Sequence, residues 1–176
     1  MAEQRASEAP ADADASAKAT VKAGATETAE AGTPAEAGTP AEAQPTARDL
    51  ARRSQAAVRD KDRAAWLALF ADDAIVADPI GPSPLDPAGH GHRGPEAIAA
   101  FYDAVVAPND SITFEIERSY LCGNENADVG IIRTVLPGGT HMAVVRGVYT
   151  YASNGAGKLA ALRAYWEFDA AELIET

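Results

Sequence analysis

A lone carboxylate, Asp78, stands where the chain leaves a short apolar stretch, in Ala74-Ile75-Val76-Ala77-Asp78-Pro79-Ile80-Gly81. Side chains of a strand alternate faces, so Val76 and Asp78 share one face while Ile75 and Ala77 share the other. A carboxylate beside an apolar residue at the mouth of a loop has the placement of a buried general base, because desolvation raises its pKa. Asp-Pro also opens turns, so the same residue reads as a turn cap. Tyr102, Tyr120, Tyr149, Tyr151 and Trp166 pair an apolar ring with a polar tip, which suits a pocket wall, a hydrogen-bond donor or plain core filling. His90-Gly91-His92 offers metal-ligand types, but no third ligand lies at motif spacing, so no metal site is expected. The single cysteine, Cys122, leaves no intramolecular disulfide and reads as a small hydrophobe ending a strand.

The elements that position these residues follow from pattern. Thr46 and Asp49 form the start signal of a helix whose apolar stripe is Leu50, Ala51, Ala57 and Val58. Asp60-Lys61 breaks it. A second helix is expected from about Asp62 to Phe70, ending before the acidic pair Asp72-Asp73, with Trp66, Leu67, Leu69 and Phe70 packed under a sheet. The strand bearing Asp78 follows, then a turn-rich loop over 81–89. A third helix, with Pro95 in its first turn, runs to about Val106 and places Ile98, Phe101, Tyr102 and Val105 on one side. Ile112, Phe114 and Ile116 alternate with Thr113, Glu115 and Glu117, a half-buried strand. Turns at 123–126, 137–139 and around Asn154-Gly155 divide the remainder into further strands over 127–136, 140–152 and 159–168. Helices followed by an antiparallel meander make an α+β fold: three N-terminal helices packed in a curved antiparallel sheet with a conical pocket. Such a pocket suits a small hydrophobic ligand.

The chain of 176 residues has room for one ordinary domain. Residues 1–46 hold no aromatic side chain and carry the unit Ala-Gly-Thr-Pro-Ala-Glu twice, at 31–36 and 37–42. They cannot bury enough apolar surface to offset ordering, so a disordered tail over 1–46 and a folded domain over 47–176 are expected. Eight acids and three bases give that tail −5 of the net −11. An acidic protein argues against nucleic acid and anionic membranes as partners. The start carries no apolar run of a secretory leader, and no stretch has the length of a membrane span, so a soluble cytoplasmic protein is expected.

Trp66-Leu67-Ala68-Leu69-Phe70-Ala71-Asp72-Asp73, Ala77-Asp78-Pro79-Ile80-Gly81, Arg93-Gly94-Pro95-Glu96, Val145-Arg146-Gly147-Val148-Tyr149 and Leu162-Arg163-Ala164-Tyr165-Trp166 together resemble the ketosteroid isomerase (steroid Δ-isomerase) branch of the nuclear transport factor 2-like, or SnoaL-like, superfamily. The resemblance covers about Arg48 to Asp169 and implies that superfamily's α+β roll. It implies Asp78 as the base moving a proton next to a carbonyl of a steroid or similar polycyclic ketone, with no metal or organic cofactor. In ketosteroid isomerases the oxyanion is held by a tyrosine and by an aspartate kept protonated so that it can donate. Here the match places Ser54 at the tyrosine and either Gly147 or Tyr149 at the acid, so that pair is missing. Tyr102 falls where the family has a supporting tyrosine and, with Tyr149, is the candidate donor. Phe70, Val76, Phe101 and Trp166 are expected to line the pocket beside Ser54 and Gly147. Family members commonly pair, so a homodimer is implied. The alternatives are a non-catalytic protein that holds a hydrophobic ligand, or an epoxide hydrolase or polyketide cyclase using Asp78 on water or a hydroxyl.

Overall fold

The computed structural model describes residues 44–176, so most of the expected tail lies outside the described residues. Helix α1 (Ala47–Arg59) opens on the expected box: the Thr46 hydroxyl accepts from the Asp49 amide at 3.2 Å, and the Asp49 carboxylate accepts from the Thr46 amide at 3.0 Å. These bonds satisfy amides that the first helical turn otherwise leaves unpaired. Helix α2 (Arg63–Leu67) is capped by Asp62, whose Oδ1 accepts from the Ala65 amide at 2.9 Å. It is shorter than its apolar pattern predicts. Strand β1 (Phe70–Ala77) already begins at Phe70 and takes in Asp72 and Asp73. The cause is tertiary: the Leu159 amide donates to Leu69 O at 2.7 Å and Phe70 pairs with Leu159, which draws the helix end into the sheet.

After β1 come β2 (His92–Arg93) and α3 (Gly94–Phe101), which continues as one π-helical turn over Tyr102–Val106. The long strands follow: β3 (Ser111–Cys122), β4 (Glu125–Val135), β5 (His141–Ser153), β6 (Leu159–Tyr165) and β7 (Glu172–Glu175). The sheet order is β2-β1-β6-β5-β4-β3, with β7 pairing β5. The predicted antiparallel meander holds from β3 to β6. Strand β1, however, runs parallel to β6, so the sheet is mixed. The connection through α3 and the meander returns β6 beside β1 in the same direction, which a hairpin cannot do.

Curvature has a local source. Gly130 of β4 and Gly147 of β5 pair directly, and a Cβ on either would lie 2.2 Å from Glu115 O or 2.6 Å from Tyr165 O. Strand β3 shifts register between Ile116 and Arg118 beside this pair. Side-chain-free positions next to a bulge let a sheet bend sharply. The bent sheet wraps the helices around Trp66, whose ring lies 4.6 Å from Phe70 and 5.2 Å from Tyr102. Among the described residues no helix is long and apolar enough to cross a membrane.

Candidate functional site

A cavity of about 470 Å³ lies between the concave sheet and the helices. Its volume falls in the roughly 300–1,000 Å³ range of small-molecule pockets. Strand β5 supplies one wall through alternate residues, Ala143, Val145, Tyr149 and Tyr151. Val58 of α1, Trp66 of α2, and Phe101 and Val105 of the α3 segment face it. Most of the lining is apolar, so a carboxylate there loses water that little else replaces.

Asp78 is that carboxylate. It follows the last residue of β1 on the cavity face, next in its row to the fully buried Val76. Ile80 donates its amide to Ala164 O at 2.9 Å, which ties the turn after Asp78 to β6. Trp166, just beyond β6, donates its indole Nε1–H to Asp78 Oδ1 at 2.6 Å. Burial pushes the Asp78 carboxyl above the usual carboxylate range, against the opposing indole bond and the charge of His92. The expected same-face geometry of Val76 and Asp78 is therefore present. The loop beyond it is closed by Asp86, whose carboxylate accepts from the amides of Gly89 at 3.1 Å and Gly91 at 2.7 Å. It brings Leu85 over the cavity.

Of the other sequence candidates, Ser54, Val76, Phe101, Tyr149 and Trp166 line the cavity with Asp78, and Tyr102, Phe70 and Gly147 do not. Tyr102 is buried against Trp66, its hydroxyl lacks a hydrogen-bond partner, and burial with the charge of Asp62 pushes its pKa up. The charges of Asp62, Arg63 and Asp103 also act on that buried hydroxyl. Phe70 packs edge-on beneath Trp66. Gly147 shares the cavity-facing row of β5, but Tyr165 O and Trp166 Cβ occupy the space a side chain would need. Its role is to let the indole that holds Asp78 come close.

Two hydroxyls on the wall already have partners. Ser54 Oγ accepts from Trp66 Nε1 at 3.0 Å. Tyr149 donates to Val145 O at 3.1 Å, and burial together with the Asp78 charge raises its pKa. His92, which carried the metal question, stacks on Phe101 with centroids 4.9 Å apart. Among the described residues no three His, Cys, Asp or Glu side chains cluster as a metal site would require. Sequence reasoning missed Gln55, whose Nε2 donates to the Tyr151 hydroxyl at 3.4 Å, and Asp128, which accepts from the same Nε2 at 2.8 Å. No local signal marks them, because Gln55 lies 73 positions from Asp128 and 96 from Tyr151 in the chain.

A family model described as the SnoaL-like domain matches residues 51–162. The chain is 38% identical to the Delta 5-3-ketosteroid isomerase from Mycobacterium sp., with TM-score 0.69, covering 73% of this chain and 98% of that one. It is 37% identical to RV0760c from Mycobacterium tuberculosis, solved in complex with estradiol-17beta-hemisuccinate, with TM-score 0.67 and coverage of 72% and 97%. A computationally designed 17-OHP binder is similar at 34% identity, TM-score 0.68, with coverage of 73% and 98%. No curated protein matches the sequence.

Proposed function

This chain belongs to the SnoaL-like domain family, and from that premise we propose that it is a ketosteroid isomerase-like enzyme in which Asp78 is the general base. The observation that carries this reading is a desolvated carboxylate on the wall of a mostly apolar cavity. Asp78 takes a proton from a carbon flanked by a ketone and a double bond. The electron pair moves into a dienolate, and the same carboxyl returns the proton to the far carbon, leaving a conjugated enone. Trp166 holds Oδ1, so Oδ2 is the oxygen free to work. A raised pKa makes the carboxylate a stronger base. The substrate class is a steroid or similar polycyclic ketone, supported by cavity size, by lining, and by the steroid names attached to two of the similar proteins.

A second reading is favoured by the donors. The family's oxyanion pair is replaced by Ser54 and Gly147 or Tyr149, the Tyr149 hydrogen is engaged by Val145 O, and Tyr102 lies off the cavity. That arrangement suits a protein that holds a hydrophobic ligand without turnover. The test is appearance of enone absorption from an androstene-type β,γ-unsaturated ketone. Wild type is expected to turn over, and Asp78→Asn to lose ~10²–10⁴ in rate. Steroid binding by an inactive wild type, or full activity in Asp78→Asn, would replace the isomerase reading with the binding one. Homodimerisation through the outer sheet belongs to the same reading, supported by Tyr120 and Ile174, which are exposed on that face.

A further inference from the structure

Beyond Tyr151, between α1 and the same face of the sheet, a chain of polar side chains runs from Arg48 to Tyr151, and its direction is set by its ends. Arg48 has only donors, and its Nε reaches Asn126 Oδ1 at 3.3 Å. That contact turns the amide nitrogen of Asn126 the other way, where it donates to Asp128 Oδ1 at 2.7 Å. The Asp128 carboxylate accepts a second bond at Oδ2, from Gln55 Nε2 at 2.8 Å. Gln55 thereby presents nitrogen, not oxygen, to this side, and the same Nε2 donates to the Tyr151 hydroxyl at 3.4 Å. A phenol whose oxygen accepts has its hydrogen left to donate.

The placement follows from periodicity. Arg48 and Gln55 are two turns apart on one face of α1. Asn126 and Asp128 are two apart on one face of β4, and Asn126 pairs across to Tyr151 of β5. Asn126 and Asp128 are 1% and 3% exposed, so this is a built, desolvated network and not a solvated face. In such surroundings hydrogen bonds strengthen one another.

Tyr151 lines the cavity with Asp78, whereas the Tyr149 hydrogen goes to Val145 O. We propose that Tyr151 is the hydrogen-bond donor to the ligand's carbonyl oxygen, replacing the missing oxyanion pair, and that Gln55 and Asp128 are positioning residues that hold its hydrogen toward the cavity. The assignment rests on the reading of the cavity as a site for a polycyclic ketone. It requires that the ligand place its oxygen toward Tyr151 and its reactive carbons toward Asp78.

The experiment separates binding from chemistry. Testosterone carries a conjugated enone whose ultraviolet band moves to longer wavelength when its oxygen accepts a hydrogen bond. Bound to wild type, it is expected to show that shift. Tyr151→Phe is expected to abolish the shift while keeping the ring, Gln55→Leu to weaken it, and Tyr149→Phe to leave it intact. Turnover of the unconjugated ketone should fall by ~10²–10³ in Tyr151→Phe, the usual loss for one oxyanion donor. Circular dichroism and melting of each variant separate a loss of donation from a loss of fold. A shift that survives Tyr151→Phe, or is lost instead in Ser54→Ala or Tyr149→Phe, overturns the assignment. So does testosterone bound to wild type with no shift, or no binding at all. A shift that depends on Tyr151 in a protein without turnover sustains Tyr151 as donor and sinks only the isomerase reading.

Discussion

Replacing Trp166 by phenylalanine removes one hydrogen bond from Asp78 and keeps an aromatic ring on the cavity wall. The bond is short, 2.6 Å from Nε1 to Oδ1, and its acceptor sits where burial already raises the carboxyl pKa. Hydrogen bonds to charged groups contribute roughly 1.5–3 kcal/mol, and the indole N–H favours only the ionised form. At about 1.36 kcal/mol per pKa unit, its loss should move the Asp78 pKa upward by about one to two units. The acidic limb of the kcat/KM profile should then shift to higher pH by that amount, since the base works only when ionised. A carbon-13 titration of the Asp78 carboxyl reads the same shift without any need for turnover. An unchanged or lowered pKa in Trp166→Phe would refute the account of how this carboxylate is held.

Other outcomes follow from the same structure. A folded-state pKa above the unfolded value of about 3.9 means the native protein binds the extra proton between the two pKa values, so stability falls as pH rises through that window. Asp78→Asn should therefore melt higher than wild type at neutral pH, with the gap closing below about pH 4, as pH-dependent thermal unfolding would reveal. Deletion of residues 1–43 should leave the melting temperature nearly unchanged, because they hold no aromatic residue and, besides Met1 and Val21, no aliphatic side chain larger than alanine or proline; a drop of several degrees would contradict the predicted boundary. Sedimentation at micromolar concentration should give a dimer, and Ile174→Glu, placing a charge at a residue 41% exposed on the outer face, should shift it to monomer. A wild-type monomer would refute the pairing.

Much of the fold is legible in local pattern. The Thr46–Asp49 box, the alternation of Ile112, Phe114 and Ile116, and the turns after Cys122 and Ser153 are decided by neighbours within a few residues, and they stand where the sequence places them. The shared face of Val76 and Asp78 is of the same kind, because two-residue periodicity is a property of any strand. What periodicity leaves open is which surface a given face meets. Tyr102 and Phe101 are adjacent on the α3 segment, yet only Phe101 lines the cavity, while Tyr102 is buried with its ring 5.2 Å from that of Trp66. Phe70 looks helical until Leu159, 89 positions later, pairs with it. The chain from Arg48 through Asn126, Asp128 and Gln55 to Tyr151 joins α1 to strand residues 73 to 96 positions away, and no local signal marks it. Backbone conformation is set by short-range sterics and hydrogen bonds. The partners that decide what a buried polar group can donate are brought together only when the sheet bends over the helices.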